Sequence, residues 1–182
     1  MSTRGRGNAR VRTVAWWVAA VAAGWTLSRA VGCASGGEVS AETRAEDIAV
    51  QAATVRWLIE NNDSALGGSA SAYCLGTGTG LVVGEPSNAL LRALGTTFPR
   101  VQPISSCRWA RDAVVGRRVV DELSEAPALA LFVDLPEFDG PDVARVWAEY
   151  LERPGHGRGY DCRLVRDAEG WRVAECSRGF PR

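Results

Sequence analysis

Two cysteines near the carboxyl terminus, Cys162 and Cys176, are spaced so that a β-hairpin would place them directly opposite each other. Between them, Asp167-Ala168-Glu169-Gly170 is typical of a type I turn closed by a glycine in the left-handed conformation, the three-residue hairpin loop. The cross-strand pairs predicted by this loop are Asp167 with Trp171, Val165 with Val173, Arg163 with Glu175, and Cys162 with Cys176. The cysteine pair falls at a non-hydrogen-bonded position, where Cα atoms are about 4.5 Å apart and a disulfide bond can form.

The other cysteines fit an exported domain. The chain contains Cys33, Cys74, Cys107, Cys162 and Cys176, and Cys33 belongs to the amino-terminal segment. Four cysteines in an oxidising compartment indicate two disulfide bonds, so Cys74 is expected to pair with Cys107 by elimination. Four reduced, buried thiols are the alternative. The sequence lacks the C-x₂₋₄-C spacing of structural zinc sites, and no metal site is predicted.

The amino-terminal segment has the layout of an export signal. Five arginines precede residue 30, the first acidic residue is Glu38, and residues 13–28 carry no charge. A basic start, an apolar stretch and a small-residue exit are typical of export signals, and the arginines hold the start in the cytoplasm. The net charge of the whole chain is zero. A dedicated nucleic-acid binder needs a strong basic excess, so no nucleic-acid partner is expected.

The apolar segment has three alternative fates. Ala30-Val31-Gly32-Cys33 resembles a bacterial lipobox, in which cleavage before the cysteine leaves Cys33 to carry lipid. The other two are an uncleaved transmembrane helix, with Arg29 reaching the headgroups, and a released protein after simple cleavage. All three place the rest of the chain on the extracytoplasmic side of a cell membrane or envelope. The sequence therefore predicts an export signal or membrane anchor at 1–33, a tether at 34–42 and one α+β domain at 43–182.

Helical and extended patterns follow one another along this domain. A capping box at Thr43–Glu46 and apolar residues at helical spacing predict a first helix, and Pro86-Ser87-Asn88 predicts the start of a second that ends at Gly95. Strands are predicted at 72–75, 101–109, 113–120, 128–133 and in the terminal hairpin; 143–151 fits a strand or an amphipathic helix, and 76–80 and 154–159 are predicted loops. The predicted fold class is α+β: an N-terminal membrane-targeting helix, then helices packed on a mostly antiparallel, curved sheet that ends in a β-hairpin.

The opening helix and the ending Tyr160-x-Cys162 … Gly170-Trp171-x-Val173 resemble the NTF2-like superfamily over about the last two-thirds of the chain. The chain is also similar to small exported bacterial proteins that close with such a hairpin. The first resemblance implies a pocket on the concave face of a curved sheet. Members of that superfamily include isomerases, dehydratases and non-catalytic binders, so it implies no particular activity.

Few residues suggest chemistry. The chain has no lysine, which excludes P-loop and Schiff-base lysines, and its one histidine, His156, lies in a glycine-rich stretch unsuited to a rigid general base. Gly76-x-Gly78-x-Gly80 does not match a dinucleotide-binding fingerprint, and no cofactor is predicted. An acidic loop is interpreted as solvated, with Ca²⁺ binding as the alternative; its residues are Asp134, Glu137, Asp139 and Asp142.

One basic stretch is the candidate binding site. Five arginines between residues 100 and 118 accompany a single acid, Asp112. Arginine suits carboxylate or phosphate recognition, which predicts contact with an anion or with lipid headgroups. The residues singled out for that contact are Arg108, Arg111, Arg117 and Arg118.

The favoured hypothesis is a membrane-tethered binding or interaction domain of the bacterial envelope with no evident catalytic site. Its expected partners are the membrane, through the amino-terminal segment, and an envelope protein or a small hydrophobic ligand. One alternative is an NTF2-like isomerase or dehydratase that uses a carboxylate base in a deep pocket. The other is a ligand-free structural subunit of an envelope assembly, which would expose a large apolar patch.

Overall fold

The computed structural model describes residues 41–66, 69–78 and 82–179. The predicted leader 1–33, with Cys33, and most of the tether lie outside these residues. The helices are α1 (Ala41–Asn61) and α2 (Asn88–Gly95). The strands are β1 (Tyr73–Thr77), β2 (Val101–Pro103), β3 (Cys107–Asp112), β4 (Gly116–Asp121), β5 (Leu129–Val133), β6 (Glu137–Phe138), β7 (Val143–Arg153), β8 (His156–Asp167) and β9 (Gly170–Gly179).

The fold is α+β and is built on a mixed sheet. Its strand order is β2-β1-β5-β7-β8-β9, and β6 pairs with β7. Strand β1 runs parallel to both β2 and β5, and the other described pairs in this sheet are antiparallel. The parallel pair β1–β2 exists because α2 lies between these strands in the chain and supplies the crossover that parallel strands need. Strands β3 and β4 form a separate antiparallel hairpin.

Both helices pack on one face of the sheet, here called the helix face. Alternate strand residues, such as Leu75, Leu131 and Val146, are fully or almost fully buried there against apolar residues of α1 and α2. The N-cap of α2 is Ser87, whose Oγ accepts a hydrogen bond from Leu90 N at 3.1 Å, as the sequence predicted. Within the described residues, neither helix is both long and apolar enough to cross a membrane.

The β3–β4 hairpin packs on the opposite face near β1 and β5. There a smaller apolar cluster joins Val119 of the hairpin to Cys74 and Ala130 of the sheet. The predicted single strand 101–109 is wrong, because a 3₁₀ turn at Ile104–Ser106 separates β2 from β3 and moves β3 out of the main sheet. The predicted strand 113–120 begins only at Gly116, and 113–115 form the tip of the hairpin.

Two glycine-rich segments predicted as loops contribute to strands. Gly76 belongs to β1, and a Cβ atom there would lie 2.8 Å from a methyl group of Val83. Only Pro154 and Gly155 turn the chain between β7 and β8, with Gly155 at φ +74°, and His156 begins β8. These glycines are required by close packing or by the turn, rather than by a flexible linker.

The terminal hairpin combines a correct and an incorrect register prediction. Its turn has two residues, so Asp167 pairs with Gly170 and Val173 lies opposite Leu164; the predicted pairs Asp167–Trp171 and Val165–Val173 are wrong. A β-bulge then adds Ala174 to β9, so Arg163 lies opposite Glu175 and Cys162 opposite Cys176. The bulge restores the predicted register at the cysteines.

Two disulfide bonds join the elements, with the pairings expected from the sequence. Cys162 and Cys176 link β8 to β9 with Cα atoms 4.1 Å apart. Cys74 and Cys107 link β1 to β3 with Cα atoms 6.2 Å apart. The second bond ties the base of the β3–β4 hairpin to a central strand of the sheet.

Candidate functional site

The β3–β4 hairpin carries the predicted arginines and ends in an exposed tip. Val114 at the tip is 91% exposed. The Asp112 carboxylate accepts hydrogen bonds from the backbone N–H groups of Val115 and Val114 at 2.9 and 2.8 Å, and these bonds lower the pKa of Asp112. Gly116 completes the turn at φ +82°, a conformation that favours glycine. The tip is therefore locally ordered although its apolar side chain faces solvent.

The base of the hairpin is held by polar contacts as well as by its disulfide. Asp121 accepts hydrogen bonds from the Ser124 backbone N–H and from Gln102 Nε2, at 2.6 and 2.8 Å. With further bonds from Ser124 Oγ and Leu123 N, they lower the pKa of Asp121 to about 2. A base fixed to the sheet in this way gives the exposed end a defined position.

The register of β3 and β4 divides the four predicted arginines between two faces. Arg108 and Arg118 lie on one face. Arg108 forms an ion pair with Glu125 at 2.5 Å, and Arg118 forms one with Asp112 at 2.7 Å. Their charges are therefore balanced by nearby carboxylates, one in the hairpin and one just after it. The structure does not bring all four arginines into one patch.

The other face retains its positive charge. Arg111 pairs directly with Arg117 across the strands, and the Arg117 guanidinium lies 5.8 Å from the ring centroid of Trp109, which is 40% exposed. Neither arginine forms an ion pair with a carboxylate of the described residues. We call Trp109, Arg111 and Arg117 the basic face. Sequence analysis did not include Trp109 in the candidate site, although the alternation of side chains along β3 places it on the same face as Arg111.

The other sequence candidates lie elsewhere. Within the acidic loop, Asp139 forms an ion pair with Arg145 at 3.2 Å. Over the residues that the structure describes, no group of three His, Cys, Asp or Glu side chains is placed to hold a metal ion. His156 lines a cavity of about 340 Å³ between the end of α1 and the β7–β8 turn, which we call the end cavity.

Two smaller cavities lie on the face of the sheet away from the helices. Their volumes are about 150 and 180 Å³, and both are lined by Arg145 and Asp161. Arg145 lies directly opposite Arg163 in the β7–β8 register. Both cavities are open to solvent, as the end cavity is, and both are mixed in charge. Sequence analysis gave no sign of them.

Comparisons with protein-family models, with curated proteins and with solved structures found no match to this chain. The resemblance to the NTF2-like superfamily therefore stays a prediction.

Proposed function

We propose that the domain acts outside the cytoplasm as a membrane-tethered interaction module, and that its basic face contacts the anionic headgroups of the membrane holding its leader. The observation that carries this proposal is the pair Arg111 and Arg117, which is exposed beside Trp109 without a neutralising carboxylate among the described residues. The two disulfide bonds support an oxidising compartment, since cytosolic thiols are normally kept reduced.

The chemistry of the hairpin end suits a lipid surface. An arginine near an anionic membrane contributes about 1 kcal/mol of attraction, and the effect decays within a Debye length. Tryptophan favours the interface between headgroups and acyl chains. Val114 at the tip adds an apolar side chain that can enter this region. The basic face and the tip therefore resemble an interfacial contact more than an enclosed ligand pocket.

The carboxylate-base enzyme receives less support. It requires a carboxyl with a raised pKa inside a deep pocket. Among the described carboxyls, a raised pKa occurs at Asp47 of α1, where partial burial and then the neighbouring Glu46 disfavour the charged form. Asp47 lines none of the three cavities, and the helix face of the sheet is filled by core side chains.

Hydrogen exchange on the full-length chain tests the membrane contact. The chain is reconstituted into nanodiscs of phosphatidylcholine alone or with phosphatidylglycerol, and deuterium uptake of peptides covering 109–117 is measured. We expect slower uptake in the anionic discs, and less slowing as salt is added. The double variant Arg111→Gln/Arg117→Gln should lose the difference. The matched control Arg92→Gln, at an exposed arginine of α2, should keep it. Equal uptake in both disc types would overturn the headgroup contact.

The tether is tested separately by intact mass. Protein extracted from membranes is weighed with and without reductant. A mass that includes lipid on Cys33 indicates the lipoprotein, and a full-length mass indicates the uncleaved anchor. The mass of a chain cleaved near residue 33 without lipid indicates the released protein. Full-length protein recovered from the cytosol would refute the proposed location.

A further inference from the structure

The end cavity lies where the loop after α1 meets the β7–β8 turn. At about 340 Å³, it is the largest of the three cavities and falls within the size range of small-molecule sites. It is far from a purely apolar pocket, because charged and polar side chains dominate its lining. The lining includes Asp63, Tyr150, Glu152, Arg153, His156 and Arg158.

Both carboxylates of this cavity are already occupied by donors of the protein. Asp63 Oδ2 accepts from Arg158 Nη1 at 3.1 Å and from Arg178 Nη2 at 2.7 Å. Glu152 Oε2 accepts from the backbone N–H of Ala65 at 3.1 Å. These contacts hold the loop after α1 against β7, β8 and β9, so the acidic groups serve the structure of the cavity wall.

Arg153 has a different environment. Its Nη2 lies 3.3 Å from Nδ1 of His156, and it forms no ion pair with a carboxylate of the described residues. A guanidinium group can only donate hydrogen bonds, so Nδ1 of His156 is the acceptor in this contact. In a neutral imidazole the ring proton is then assigned to Nε2, which remains available as a donor. The guanidinium and the imidazole therefore form a small group of donors in the lining of the cavity.

Two arginines and two carboxylates line the cavity, so its charges balance in number. Arg158 is paired with Asp63, whereas the guanidinium of Arg153 forms no ion pair with a carboxylate of the described residues. We propose that the end cavity binds a small oxyanion, a carboxylate or phosphate group, through Arg153, with the imidazole of His156 as a second donor. Guanidinium groups favour such ligands because their planar donors match two oxygen atoms at once. This site is separate from the basic face and does not depend on the membrane proposal.

The single histidine makes the test direct, because the imidazole Hε1 proton gives one resonance from the full-length chain in detergent micelles. Sodium phosphate and sodium acetate are titrated at constant pH, with ionic strength held by sodium chloride. We expect the His156 signal to follow a saturable one-site curve with at least one of the two probes. The probe that saturates first at equal concentration identifies phosphate or carboxylate as the preferred group.

Variants then locate the site. Arg153→Gln should weaken the apparent affinity at least about tenfold, because a hydrogen bond to a charged group is lost, and Arg153→Lys should recover part of it. Arg172→Gln, at an arginine paired with Asp167 in the terminal hairpin, and Arg111→Gln/Arg117→Gln should leave the affinity unchanged. If the His156 resonance shifts linearly with phosphate and acetate, by the same amount as in a titration with sodium chloride alone, the proposal is overturned. A saturable shift of this resonance that persists in Arg153→Gln would overturn it as well. Should Arg153→Gln fail to fold, an affinity equal to wild type in Arg153→Lys would count against it.

Discussion

Removing each disulfide bond separately should destabilise the domain by unequal amounts, in the order set by the length of chain that each bond closes. The separations are 33 residues for Cys74–Cys107 and 14 residues for Cys162–Cys176. The chain-entropy relation then gives losses of about 3.7 and 3.0 kcal/mol at 25 °C. Either loss is a large share of the 5–15 kcal/mol typical of a folded domain.

The assay is urea denaturation of three full-length proteins followed by tryptophan fluorescence: the wild type, Cys74→Ala/Cys107→Ala and Cys162→Ala/Cys176→Ala. Each variant loses two sulfur atoms, and one cysteine of each pair is fully buried, so the packing losses are matched. We expect the Cys74–Cys107 variant to be the less stable by about 0.7 kcal/mol. The loop-entropy argument would be refuted if removing the terminal hairpin bond lowered the free energy of unfolding more than removing Cys74–Cys107 does. A decrease below about 1 kcal/mol for either variant would refute it too.

Three further perturbations follow from the packing. Gly159→Ala should lower the free energy of unfolding by about 1–3 kcal/mol, because the added Cβ would overlap an indole ring on β7. Gly95→Ala is the control: no atom lies near its added Cβ, so it should be neutral or stabilising in the same denaturation assay. Ser87→Ala should cost about 1 kcal/mol through the lost N-cap of α2, and a melting temperature equal to wild type would contradict that bond's role. Burial raises the pKa of Tyr150 and Tyr160 above the ordinary 10.0; the unfolded chain therefore releases these protons first, and stability should fall as the pH rises past about 10. Absorbance at 295 nm during an alkaline titration of the folded protein checks this, since ionisation of both groups at the ordinary pKa would contradict it.

Local signals in the sequence were sufficient where one interaction decides the structure. The capping residue Ser87 and the turn residues before Gly170 are read without tertiary information. Both features depend on neighbours in sequence, and the structure agrees with the predicted turn to within one residue. The predicted cysteine pairing is correct because the bulge at Ala174 offsets the one-residue error at the turn.

Features that depend on distant packing were beyond the sequence. Nothing local shows that Gly76 must lie against Val83 and a neighbouring strand, so the pattern of this glycine-rich stretch predicts a loop. The 3₁₀ turn at Ile104–Ser106 moves β3 out of the main sheet, and β3 pairs with β4 instead. The division of the arginines between two hairpin faces also required the register. Periodicity alone cannot supply a partner strand.

The unpaired Ala174 has a consequence for how this domain can vary in length. Shortening β9 by that residue would turn an interrupted ladder into a regular one, with Leu164 still facing Val173 and Cys162 still facing Cys176. The number of residues between the two cysteines is therefore not dictated by their bond. Relatives of this chain that carry one residue fewer at this point can be expected to keep the same cross-link and the same buried side chains.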